Sequence, residues 1–358
     1  MFRKFFYIDW ILVSSYFLLI LIGLATLYGI SASEYFQNNN IFFKQVIFAS
    51  LGIGVFLFFS FFDYKHYKYY AKLFYFLIIF ILLSVLLWGN VVRGTTGWIG
   101  VGIFNVQPVE VAKLLLVITL ASFISKKKNK VSEIAAIVNS FFLAFVAVFL
   151  VLKQPDLGSA LILAGIWLGM SLISGMSSKY FIFILFSGVI LFSFGWVFLE
   201  DYQKDRLINF IYPEKDPQGS GYNVIQSMIA VGSGGFLGQG IGKGSQSQLN
   251  FLPEKHTDFI FASIAEEFGF VGSFLVLFLF TLLFYRIKKI AQNASDNFGY
   301  LLAIGIGIMF FLEVLINAGM NLGIMPVTGI PLPFLSYGGS SLIASSAALG
   351  ILFNIRKG

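Results

Sequence analysis

The stretch LNFLPEKHTDFIFASIAEEFGFVG, residues 249–272, sets Glu254, His256 and Asp258 at the start of a long apolar run and puts Glu266 and Glu267 inside it. A carboxylate held there can take the proton of a hydroxyl nucleophile, a general-base effect of about 10²–10⁴-fold. It can equally do no more than complement a helix N-terminus, with Thr257 as N-cap and Asp258 in the first turn. The helix end favours the ionised carboxylate, whereas burial and neighbouring acids oppose it, so the balance stays open. Glu266 lies about 12 Å deeper than Asp258 at 1.5 Å of rise per residue. Glu266 and Glu267 require polar partners or a cavity, and structural pairing is the simpler role.

A second charged pair lies in FNVQPVEVAKLLLVITL. Pro108 suits the first turn of a helix, where its missing N–H is no loss. Glu110 and Lys113 are then i,i+3 neighbours on one face. They can lock the helix as an ion pair, line a polar cavity, or do both. Pro and Gly crowd KQPDLGSALILAG and GIMPVTGIPLPFLSYGGSSLIASSAALG. Such backbone marks either simple kinks or a broken segment lining a vestibule, here with Ser336, Ser340 and Ser341. The glycines of DPQGSGYNVIQSMIAVGSGGFLGQGIGKGSQSQ do not make a nucleotide loop, because Gly244 follows Lys243 where a P-loop needs Ser or Thr. That segment reads as a turning external loop with a short amphipathic helix over Asn223–Val231. The chain has no Cys, and His66 and His256 are its only histidines, which excludes disulfides, thiolate metal sites and an H-E-x-x-H zinc motif.

The elements that must hold these residues are membrane helices. The 358 residues are 58% hydrophobic and 11% charged, less than half the charge of a soluble domain. Apolar runs near 8–30, 41–62, 70–88, 108–125, 132–152, 158–174, 180–199, 259–284, 298–320 and 338–354 are each long enough to span a bilayer. The first reads as a retained span rather than a signal peptide. The expected fold is therefore an all-α polytopic membrane protein, one transmembrane domain over 1–358 with ten transmembrane helices. A large extracellular loop, about 200–257, separates helices 7 and 8. Lys65, Lys68, Lys72, Lys126–Lys128, Arg286, Lys288 and Lys289 fall on one side, while short segments of the other hold only Lys44, Arg93 and Lys153. Both termini are then cytoplasmic. The net charge of +7 reflects this topology rather than a nucleic-acid partner.

QPVEVAK, KQPDLGSA, DPQGSGYNVIQSMIAVGSGG, GSQSQLNFLPEKHTDFIFASIAEE and GIPLPFLSYGGSS occur in an order and spacing that resemble the SEDS proteins of shape, elongation, division and sporulation. GSQSQLNFLPEKHTDFIF looks more like the elongation branch than the division branch. The resemblance implies an inner-membrane peptidoglycan glycosyltransferase that polymerises lipid II beside a class B penicillin-binding protein. By position, Asp258 matches the family's essential aspartate, the general base. Glu110 and Lys113 match a pair lining the central cavity, Trp98 matches a loop tryptophan, and Arg206 matches a family arginine. Gly97 stands where many members carry Arg, and Val109 where many carry Ser.

The chemistry of that reaction fits these residue types. The leaving diphosphate needs cations as charge develops, and Lys113, Arg206, Lys243 and Lys255 are candidates. The expected substrate-binding set adds Glu110, Trp98, His256, Ser336 and Ser340. A divalent cation, Mg or Mn, could share the work, with its ligands left unassigned. One carboxylate suffices for an acidic leaving group, whereas a hydrolase would pair two, and Glu254 is better suited to orienting the loop. The rival readings are a lipid II flippase, which also uses intramembrane charges and broken helices, and a scaffold that activates its partner.

Overall fold

The computed structural model describes residues 9–31, 41–92, 95–101, 104–126, 133–195, 197, 201–212 and 221–357. The expectations for residue 93 and for most of the 126–130 basic run lie outside them. The helices are α1 (Trp10–Ser31), α2 (Ile41–Phe61), α3 (Lys65–Trp88), α4 (Pro108–Ser125), α5 (Glu133–Leu152), α6 (Leu157–Ile173), α7 (Ser178–Gly195), α8 (Asp201–Ile211), α9 (Tyr222–Ser233), α10 (Ser245–Gln248), α11 (Ile260–Gln292), α12 (Asn297–Asn321) and α13 (Gly339–Lys357). α1 to α7 and α11 to α13 fall on the ten apolar runs. Seven of them, α1 to α5, α11 and α12, are long and apolar enough to cross a membrane. α6 and α7 are shorter apolar helices, and the serine-rich α13 is more polar.

α3 and α11 extend well past their apolar runs for one reason: a helix need not stop where its apolar face does. α3 begins at Lys65, where the Asp63 carboxylate accepts from the Lys65 N–H at 2.9 Å. α11 continues to Gln292 through the basic turn around Lys289. The all-α expectation also needs correction. Between α3 and α4 lies a three-stranded antiparallel sheet, β1 (Asn90–Val92), β2 (Thr95–Val101) and β3 (Phe104–Val106). The β-branched and aromatic residues of TTGWIGV favour extended backbone.

α4 is the axis of the bundle. It packs against α3, α5, α6, α12 and α13 and is buried along most of its length. Its apolar residues run all round the helix, as expected for a central one. Gly305 lets α12 come close: a Cβ there would lie 2.6 Å from Val117 Cγ1 on α4 and 2.9 Å from Met170 Sδ on α6.

α11 is broken at Gly269 (φ 66, ψ −160). The glycine-rich loop covers the break. Phe270 and Val271 donate their N–H groups to the carbonyls of Gly235 (2.9 Å) and Phe236 (3.2 Å). Gln239 and Gly240 donate to the carbonyls of Glu266 (2.9 Å) and Glu267 (3.0 Å). The Glu266 carboxylate accepts from the N–H groups of Gln246 (2.7 Å) and Ser247 (3.1 Å), and Glu267 Oε1 accepts from Gly242 N–H (3.0 Å). These two acids thus have the structural role expected of them, and irregular backbone is buried under protein. α9 falls on the expected short helix and packs Val224, Ser227 and Ala230 inward, and the Ser227 hydroxyl donates to the Asn321 carbonyl of α12 at 2.9 Å.

Candidate active site

The turn before α11 is the floor of the site. Residues 253–259 form a series of turns, and Phe259, not Thr257, is the N-cap of α11. Asp258 therefore precedes the helix rather than occupying its first turn. The Thr257 hydroxyl faces backwards and donates to the Glu254 carboxylate at 3.2 Å, so Glu254 serves the loop. Asp258 is half-buried and opens onto a cavity of about 320 Å³.

The elements described above bring the walls together. β2 supplies Trp98, β3 supplies Asn105, and Gln107 precedes α4. Asp156 caps α6, its carboxylate accepting from Ser159 N–H at 2.9 Å. Arg206 comes from α8 and Lys44 from α2. The segment from Thr328 to Ser341 closes the other side, and a Cβ added to Gly329 would lie 3.6 Å from Asp258 Oδ2. Two ties hold that segment. Gln45 of α2 donates to the Ser336 carbonyl (3.1 Å) and accepts from Gly338 N–H (3.2 Å), and the Ser340 hydroxyl accepts from Gln107 N–H (2.9 Å). The His256 and Tyr337 rings meet edge to face, with centroids 5.6 Å apart. Burial pushes the Tyr337 phenol above its ordinary pKa.

Of the expected residues, Asp258, Trp98, Arg206, His256 and Ser340 line this cavity together. Glu110, Lys113, Lys243, Lys255 and Ser336 do not. Lys113 is completely buried; its ammonium is shared by Glu110 at 2.9 Å and by Glu313 of α12. It fastens two central helices instead of facing the cavity. Lys243 is exposed on the loop. Lys255 donates to the Ser247 carbonyl and to Asn250 Oδ1 (2.8 Å), and burial pushes its pKa down to about 8 against the opposing pull of Glu266 and Glu267. The Ser336 hydroxyl is engaged with backbone on both sides, donating to Thr257 and accepting from Leu332 N–H.

Sequence reasoning missed Lys44, Asp156, Glu313, Asn317 and Asn321. Asp156 was readable as an N-cap, and Glu313, Asn317 and Asn321 repeat at helical spacing in an otherwise apolar run. Lys44 carried no signal beyond its sign.

The arrangement presents one carboxylate, Asp258, to a space also lined by Lys44 and Arg206, with Trp98 and Tyr337 as aromatic walls. It suits a hydroxyl-bearing, anionic ligand. Among the described residues no three His, Asp or Glu side chains come together as a metal cage. Asp156 and Asp258 line the same cavity, and a carboxylate there suits a hard cation that takes the rest of its shell from water and phosphate.

A family model described as a cell cycle protein, FtsW, RodA and SpoVE, matches residues 8–358. The chain belongs to the FtsW/RodA/SpoVE family. It is 39% identical over 356 residues to stage V sporulation protein E of Bacillus subtilis, covering 98% of this chain and 97% of that protein. It is 40% identical over 291 residues to the peptidoglycan glycosyltransferase MrdB of Escherichia coli K12, covering 80% and 77%. A chain solved in a peptidoglycan synthase complex that coordinates polymerization and crosslinking superposes with a TM-score of 0.82 at 31% identity, covering 98% and 97%. For a member of the FtsW/RodA/SpoVE family, the match runs through every element that builds the cavity, from α2 to α13.

Proposed function

We propose that this chain is a peptidoglycan glycosyltransferase that polymerises lipid II at the outer face of the inner membrane during cell elongation. On this reading it is a single domain with ten crossings and cytoplasmic termini, and the 200–257 segment lies outside. The observation that carries the proposal is the shared cavity of Asp258, Lys44 and Arg206 in a chain 40% identical to a peptidoglycan glycosyltransferase.

The residues do the following. Asp258 takes the proton of the acceptor sugar hydroxyl as that oxygen attacks the anomeric carbon of the donor. The bond from that carbon to the diphosphate oxygen breaks, and the lipid diphosphate leaves as an anion. Arg206 and Lys44 stabilise the charge that develops on it, where preorganised cations count most. A divalent cation bound with the diphosphate would supply further charge stabilisation, and with Asp258 serving as base Asp156 is the cavity carboxylate left to hold it. The lipid tail stays in the bilayer, so the base must sit where the helix bundle meets the outer solvent. The elongation branch is inferred from GSQSQLNFLPEKHTDFIF, since the identities to SpoVE and MrdB, 39% and 40%, do not separate the branches. The complex that contains the superposed chain supports a class B penicillin-binding protein as partner.

Purified Asp258→Ala should bind lipid II with near wild-type affinity and yield no glycan polymer on gels, with and without partner and Mg or Mn. Full polymerisation by that variant rejects the assignment. Transfer of lipid II between leaflets without polymer, by the wild-type chain, supports the flippase instead.

A further inference from the structure

Within the turn that carries Asp258 the Glu254 carbonyl accepts from the N–H groups of Thr257 (3.1 Å) and Phe259 (3.2 Å), and the Phe259 carbonyl accepts from Ser263 N–H (3.1 Å). The four carbonyls between them accept from donors outside residues 253–259. The Lys255 carbonyl accepts from the Ser263 hydroxyl at 3.0 Å. The His256 carbonyl accepts from Tyr337 N–H at 2.8 Å. The Thr257 carbonyl accepts from the Ser336 hydroxyl at 2.7 Å. The Asp258 carbonyl accepts two amide N–H groups, from Asn317 at 2.9 Å and Asn321 at 3.0 Å.

The donors are themselves held. Asn317 and Asn321 are 0% exposed and one helical turn apart on α12. Asn317 also donates to the Ile330 carbonyl at 2.8 Å, and Asn321 Oδ1 accepts Ala262 N–H, in the first turn of α11, at 2.9 Å. Ser336 accepts Leu332 N–H at 2.8 Å. Asn317 and Ser336 therefore tie the turn bearing Asp258 to the 328–341 wall of the same cavity. A buried backbone carbonyl needs one donor, and Asp258 has two.

The geometry points to Asn317, Asn321 and Ser336 as positioning residues that aim the Asp258 carboxylate at the acceptor hydroxyl by clamping its backbone. This inference rests on the proposed general-base role of Asp258. None of the three lines the cavity, so they act through Asp258 rather than on the substrate. A reactive group displaced by about 1 Å loses on the order of 10²-fold in rate, while substrate held by other walls binds as before.

The test is steady-state lipid II polymerisation by the full-length chain with its penicillin-binding partner, alongside thermal melting of each variant. N317L and S336A should lower kcat by about 10–100-fold with the KM for lipid II within about threefold of wild type. S336T, which keeps the hydroxyl, should recover most of the lost kcat. D258N should be inactive and serves as the reference. Wild-type kcat in N317L and S336A beside an inactive D258N overturns the clamp and leaves the catalytic reading standing. Activity in D258N overturns the catalytic reading itself. A loss that tracks melting temperature, raises KM in step, or is not recovered by S336T shows a structural role only and also overturns the clamp.

Discussion

Lys113 is 0% exposed, and its Nζ lies between the carboxylates of Glu110 and Glu313. One cation needs only one counter-charge, so losing the lysine and losing one of the two acids have different consequences. Replacing Lys113 by Met leaves a pair of buried carboxylates uncompensated, which should destabilise by roughly 3–5 kcal/mol. Glu313→Gln leaves the Glu110–Lys113 pair at 2.9 Å and puts a neutral acceptor in place of the second acid, and it should melt close to wild type. Thermal melting of both variants in one detergent checks the contrast; equal losses would refute it. The pair itself was legible from the i,i+3 spacing of Glu110 and Lys113. Its third member was not, because Glu313 is 200 residues away and only the packing of α12 on α4 joins them. The same holds for Asp258, whose position at a helix start was visible while the donors to its carbonyl were not.

α11 follows directly on the turn that carries Asp258, and its break at Gly269 has no room for a side chain. The backbone there (φ 66, ψ −160) lies in a region that essentially only glycine occupies. A Cβ would also strike Gly238 N and come within 2.7 Å of Phe236 O. Gly269→Ala should therefore destabilise by about 1–3 kcal/mol from backbone strain alone. Denaturation of the purified variant measures it, and a melting point equal to wild type would show that the loop can move aside. The glycine-rich segment over this break carried no readable purpose in the sequence, because hydrogen bonds to a distant backbone leave no side-chain pattern. Helices were legible wherever about twenty apolar residues run together. Strands of three and seven residues interrupted by glycine fall below what such runs can reveal.

For the molecule as a whole, the distribution of basic residues is the ground of the proposed topology. The chain has no cysteine, so single introduced thiols can report on each face without background. Lys243 and Lys65 are both exposed and lie toward opposite ends of the bundle by the proposed topology. A membrane-impermeant maleimide applied to spheroplasts should label Lys243→Cys and spare Lys65→Cys until the membrane is opened. The reverse pattern would invert the topology and remove Asp258 from the outer surface. The interrupted α11 has a mechanical consequence for this arrangement. Phe270 and Val271, just past the break, hydrogen-bond the same loop that holds the carboxylates of Glu266 and Glu267, while α1 and α12 pack along the helix. The two segments are therefore joined twice, through the chain at Gly269 and through the loop, so a shift in one is passed to the other and on to the turn that carries Asp258.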